Sequence, residues 1–274
     1  MKFGLDVPIS GPFADIRLRS RAAIEAEAAG WDGIFVQEVF SGSEPAVDPW
    51  IALGAMAMAT RTVQLGAFLT PLPRRLPWEV ARQAVTIDQL SNGRLIFGAG
   101  LGHNEREFAA IGHDIDRRVR ADQLDESLEI LEQLWHGKPV KFTGRHYHLD
   151  GLQLLPMPVQ QPRMPVWLAA GWPARRPLRR AAAWDGVYLM TNNQLTDQPV
   201  SPADVADTVT YLRAHRASDR RPLQVAVNGI AQGEQDPVIA RMDAAGATWW
   251  VEYGDQPDEY LARIRGGPPR SSST

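Results

Sequence analysis

Cysteine is absent from this 274-residue chain, which excludes disulfides, thiolate metal sites and a cysteine nucleophile. No apolar run approaches the roughly 20 residues that cross a bilayer, and the start lacks the basic-then-apolar pattern of a secretory signal, so a soluble, cytoplasmic protein is expected. Large net charge is also missing. Lys and Arg number 29 against 32 Asp and Glu, for a net charge of −3, and both signs are dispersed. That argues against a nucleic-acid surface despite arginine pairs at 74/75, 117/118, 175/176, 179/180 and 220/221. The chain has no internal repeat and no low-complexity linker. Its first strand-like run carries no Gly-x-Gly-x-x-Gly fingerprint, since Asp6-Val7-Pro8-Ile9-Ser10-Gly11 follows Leu5, which weakens an open dinucleotide-binding sheet.

What is present is a repeated α-to-β junction. The tract from Leu65 to Gly102 reads strand, helix, strand. A short apolar run closes on Pro71 and Pro73, and Pro77 sits where a first helical turn tolerates it. Ala81, Ala84, Val85, Asp88 and Leu90 follow at helical spacing, Asn92-Gly93 stops the helix, and Leu95 to Ala99 returns as a buried strand. A helix-like segment meets Gly before an apolar run four times, at Gly30, Gly93, Gly186 and Gly246. Eight strands are read, over residues 3–7, 33–36, 63–69, 95–99, 165–170, 186–190, 223–228 and 247–252. Amphipathic helices lie between them, among them one with Leu124, Leu128, Leu131 and Trp135 on one face. Eight alternations imply a closed parallel sheet, a (β/α)8 TIM barrel. Residues 141–148 around Thr143-Gly144 read as a small hairpin inserted before the fifth barrel strand. A single domain over 1–266 is expected, with a disordered tail at 267–274.

In such a barrel the active site lies at the C-terminal ends of the strands, so the candidates are the residues just past each one. The order TPLPRR-P-W, then A-R, I-D, LS-GR and G-GLG, resembles the luciferase-like monooxygenase family. The similarity continues through LEQLWHGKPVKFTGRHYHLDG, LLPMPVQQPRMPVWLAAG and RRAAAWDGV, covering residues 3–187. It implies a flavin- or deazaflavin-dependent oxidoreductase or monooxygenase, binding FMN or the deazaflavin coenzyme F420 and acting on a small organic substrate. It also places a non-proline cis peptide at Ala67–Phe68, whose bulge supports the ring from behind. Gly100-Leu101-Gly102 is the side-chain-poor exit of the fourth strand. His103 stands where deazaflavin-dependent relatives often carry an acid, and is either a proton-transfer group or a solvated loop histidine.

The fifth-strand exit, Gly171-Trp172-Pro173-Ala174-Arg175-Arg176, opens a helix whose free N–H groups suit a phosphate, with Arg175 and Arg176 adding charge unless they form a plain surface pair. Arg75 occupies a family position from which it is expected to hold a carboxylate across the rim. At the second-strand exit relatives read Asp-His where this chain has Glu38-Val39. The catalytic imidazole is missing, leaving Glu38 and His103 as candidate catalytic groups, or a bare hydride transfer that needs no base.

That departure motivates an alternative, a non-catalytic flavin-binding barrel. A third reading, a two-carboxylate hydrolase, would use Glu38 and Glu252 if the two stood about 5–9.5 Å apart. His146-x-His148 lacks a third ligand at metal spacing, so no metal is expected. Trp31, Trp135, Trp184, Trp249 and Trp250 read as core, whereas Trp50, Trp78 and Trp172 lie nearer loops that could wall a cofactor pocket. The family commonly dimerises, and the alanine-rich run 52–59 suits close helix packing, so a homodimer is expected.

Overall fold

The computed structural model describes residues 1–40, 44–190, 199–233, 235–254 and 257–269. Eight parallel strands close a barrel in the order β1 (Lys2–Val7), β2 (Gly33–Val36), β3 (Gln64–Pro71), β4 (Leu95–Gly100), β7 (Val166–Ala170), β8 (Gly186–Leu189), β9 (Gln224–Gly229) and β10 (Trp249–Glu252), with β10 returning to β1. The remaining pair, β5 (Val140–Thr143) and β6 (His148–Leu152), is the antiparallel hairpin inserted before β7. The expected eight strands are all present, with ends that differ by a residue or two.

The helices between strands are built as the punctuation dictates. Helix α2 (Pro49–Ala59) starts at Asp48, whose carboxylate accepts from the N–H groups of Trp50 and Ile51 at 2.8 and 3.0 Å. Helix α3 (Pro77–Leu90) ends on Asn92 and Gly93 at φ 54° and 82°, the left-handed turn that glycine adopts without steric cost. Gly30 and Gly246 turn in the same way, at φ 91° and 101°. Gly186 serves differently: a Cβ there would stand 2.7 Å from the Trp167 ring. In α5 (Arg117–Trp135) the predicted face is the buried one, with Leu124, Leu128, Leu131 and Trp135 at most 3% exposed. In α1 (Ile16–Ala28) Arg19 is buried, and its guanidinium donates to the carbonyls of Pro8 and Phe13.

Two apolar layers result from strand alternation. The outer one lies between barrel and helices. The inner one fills the lumen with Phe35, Phe68, Ile96, Trp167, Tyr188, Ala226, Trp249 and Val251. Phe35 and Phe68 stack at 3.9 Å between ring centroids, with Trp167 5.3 Å from Phe68 and Trp249 5.6 Å from Phe35. Gly4 and Gly98 make room for them, since a Cβ at either would come within 2.6 Å of a phenylalanine ring or closer still to backbone. Among the described residues no helix is long and apolar enough to cross a membrane.

Candidate functional site

Above the aromatic layer the C-terminal rim opens into a cavity of about 600 Å³. Its inner end is lined by Asp6, Phe68, Tyr188 and Asn228, one side by Leu69, Gly100, Leu101, Gly102 and His103, and the far end by Gly171, Ala174, Pro177 and Arg180, with Arg117 and Leu124 beside them. The strand ends thus converge as a barrel requires.

Strand β3 carries a non-proline cis peptide, at Phe68–Leu69. This corrects the expected Ala67–Phe68 by one residue. The bond lies inside the register shift between Ala67 and Thr70, so it is the Phe68 and Leu69 side chains that reach the cavity, while Ala67 is buried in the outer layer. Gly100 ends β4, and Gly102 turns the loop at φ 76° with Phe108 packed 2.6 Å from where a Cβ would be. The Gly102 carbonyl accepts from Arg120 at 3.0 Å, and that buried guanidinium lies 4.6 Å over the Phe108 ring. His103, the next residue, is exposed and borders the cavity mouth.

Glu38 is not a free base. Its carboxylate, 3% exposed, receives Arg74 at 2.8 Å and Arg75 at 2.9 Å, and Arg74 also holds Glu107. Arg75 thus bonds a carboxylate at the rim, and Glu38 lines the cavity clamped between two guanidinium groups. Glu252 takes no part in the cavity. It points to the outer layer, where it accepts from the Ala231 N–H at 2.9 Å and the Trp250 indole at 2.7 Å and pairs with Arg263. The two-carboxylate hydrolase is thereby excluded, because Glu38 and Glu252 do not face one space.

The fifth-strand exit differs from expectation in its side chains. Gly171 lines the cavity, and α6 (Arg175–Ala182) begins at Ala174 with no side-chain cap, its first turn facing the space. Arg175, however, stacks over Trp172 and Tyr211 at 4.3 and 4.7 Å. Arg176 pairs with Asp122 of α5 at 2.7 Å and is 56% exposed. Neither arginine lines the cavity, nor does Trp172. The cations that do line this end are Arg180, which also bonds Asp125 at 2.8 Å, and Arg117. Trp50 and Trp78 likewise stay out of the cavity.

Sequence reasoning missed Asp6. It is 3% exposed, and its Oδ2 accepts from the Gln37 amide at 2.7 Å, while its buried Oδ1 has no hydrogen-bond partner among the described residues. Burial pushes its carboxyl from the ordinary 3.8 up to about 7, against the opposing pull of the Gln37 hydrogen bond. The signal lay in strand alternation: Gly4 and Asp6 share the inward face of β1, as Tyr188 and Asn228 do on their own strands, so the last inward residue of each strand belongs with the residues just past it as a candidate. The sixth-strand exit at Thr191 and Asn192 lies outside the described residues. Among those described, no cluster of three or more metal-ligating side chains occurs.

Barrel and rim cavity together define a (β/α)8 protein with a candidate site at its strand ends. Residues 8–266 match the model of the luciferase-like monooxygenase family, and the chain belongs to that family. Over 89% of its length it is 27% identical to an F420-dependent glucose-6-phosphate dehydrogenase of Nakamurella multipartita, 80% of which is covered. Its fold matches that of an F420-dependent secondary alcohol dehydrogenase in complex with an F420–acetone adduct, with a TM-score of 0.79, 17% identity and 96% of each chain covered. A monooxygenase from Streptomyces bottropensis is 25% identical with a TM-score of 0.72, over 96% of this chain and 78% of that one.

Proposed function

We propose that this protein is a hydride-transfer oxidoreductase that binds F420 in the rim cavity and acts on a small organic substrate. The observation that carries the reading is the cavity's lining, which joins the buried polar Asp6 and Asn228, the Gly100–Gly102 loop, the clamped Glu38 with Arg74, and the α6 N-terminus with Arg180 and Arg117. Gly100, Leu101 and Leu69 border the space in which a planar ring would lie. The amides of the first α6 turn and the two arginines suit a phosphate on the tail. When bound, a deazaflavin supplies the ring carbon that takes or gives hydride. The similarity to an F420-dependent relative over 89% of the chain supports F420 over FMN, and the buried Asp6 carboxyl speaks against a non-catalytic barrel.

Fluorescence and calorimetric titration with F420 and with FMN tests this. Arg180→Ala and Arg117→Ala are each expected to weaken F420 binding about tenfold, the loss of one charge-assisted contact, whereas Arg176→Ala leaves it unchanged. Failure of wild type to bind F420, or an Arg176→Ala loss equal to the other two, overturns the assignment. A homodimer through α2 is proposed alongside, supported by Ile51 and Met58, which lie seven residues apart on one helix face and are 67% and 66% exposed.

A further inference from the structure

Where relatives carry Asp-His at the second-strand exit, this chain offers a clamped Glu38 and an apolar Val39, yet the cavity is not left without a proton carrier. We propose that Asp6, at the inner end of the cavity, is the catalytic acid–base group that exchanges a proton with the oxygen of an alcohol or ketone substrate. The inference rests on the cofactor reading above and adds to it a residue, with an alcohol or ketone as the probe of its proton transfer.

Four observations support it. Asp6 is the carboxyl that lines the innermost wall of the cavity, with Phe68, Tyr188 and Asn228 around it. Its Oδ2 is fixed by the Gln37 amide at 2.7 Å, from the adjacent strand, so the side chain is oriented before anything binds. Its Oδ1 is buried and lacks a partner among the described residues, a state that costs free energy unless a ligand atom completes it. Finally, among the described residues the neighbours of Asp6 are neutral: Gln37 just past β2, the phenol of Tyr188 from β8, whose own ionisation burial pushes far upward, Asn228 from β9, and Tyr260, from the C-terminal helix, whose hydroxyl bonds the Asp6 carbonyl at 2.9 Å. Among the described residues no arginine pairs with Asp6, in contrast to Glu38, so no ion pair there displaces its proton.

In oxidation the substrate C–H bond breaks with its electron pair, the hydride passing to the oxidised deazaflavin, while the O–H bond breaks and its proton passes to Oδ1 of the ionised Asp6 carboxylate, which becomes the neutral acid as the C=O bond forms. Reduction runs in reverse, with the Asp6 proton delivered to the carbonyl oxygen as hydride returns to carbon. A neutral carboxyl at the inner end suits the carbonyl direction, since it donates to the ketone oxygen before transfer.

The test uses full-length protein labelled with [4-13C]aspartate and saturated with F420, read by isotope-edited infrared difference spectroscopy at pH 6. Wild type should show a protonated-carboxyl band that Asp6→Asn removes, and cyclohexanone should shift that band as the Asp6 proton bonds its oxygen. In the same preparation Asp6→Asn should lower turnover of cyclohexanol or cyclohexanone at least about 100-fold, within the usual range for losing a general acid–base group, with F420 affinity within about twofold of wild type. Absence of the band, a band that cyclohexanone leaves unmoved, or an Asp6→Asn variant that retains turnover overturns the proposal. The two readings fail separately. Loss of F420 binding sinks the cofactor assignment, and the infrared comparison on cofactor-free protein with cyclohexanone still decides Asp6.

Discussion

Asp6→Asn is expected to stabilise the protein above pH 7 and to change its pH dependence below that. In the folded chain burial holds the Asp6 carboxyl at about 7 in place of 3.8, whereas in the unfolded chain it ionises near the ordinary value. Between those pH values the unfolded state has released a proton that the folded state keeps. Wild-type stability is therefore penalised progressively as pH rises through that window, and the penalty levels off above about 7. At roughly 1.4 kcal/mol per pH unit the interval amounts to about 4 kcal/mol. An amide has no such penalty and nearly the same shape, and it can turn its oxygen to the Gln37 donor. The stability difference between variant and wild type should accordingly grow by about 2–3 kcal/mol from pH 5 to pH 8. Urea unfolding followed by tryptophan fluorescence, at pH 5, 6, 7 and 8, measures it. A difference that stays constant across the series would refute the reasoning, because it would mean that the folded state does not hold this carboxyl neutral.

Arg74→Ala removes the guanidinium shared by Glu38 and Glu107 while Arg75 still holds Glu38, and should cost about 2–3 kcal/mol in urea unfolding; a loss below about 1 kcal/mol would show that the clamp is not structural. Gly102→Ala must place a Cβ 2.6 Å from Phe108 at φ 76°. A destabilisation of about 1–2 kcal/mol is expected from the backbone alone, and an unchanged thermal midpoint contradicts it. Ile51→Arg with Met58→Arg should convert a dimer to a monomer in light scattering across micromolar concentrations, and a wild type that is already monomeric there removes the dimer proposal.

The barrel is legible in the sequence because its grammar is local. Gly30, Gly93 and Gly246 mark helix ends where only a left-handed turn fits, and apolar runs after them can only be buried strands. The site is legible in outline for the same reason, since strand ends fix which loops meet. The failures are non-local. Pairing of Arg176 with Asp122, 54 residues earlier, is invisible in the order of residues, and so is the capture of Glu38 by Arg74 and Arg75. The cis peptide sits one residue beyond its expected place, within the bulge that shifts the register of β3 on β4. Asp6 escapes a reading of strand exits because it lies inside β1, one residue short of the strand's end.

The packed rings of Phe35, Phe68, Trp167 and Trp249 have a consequence for traffic. They cork the barrel from below, so whatever reaches Asp6 travels by the same doorway in both directions. Two guests in such a blind alley cannot pass each other: the one seated deeper must arrive first or wait for its neighbour to step aside. For the cofactor and substrate proposed above, order of arrival and departure would be set by the architecture, before any chemistry begins.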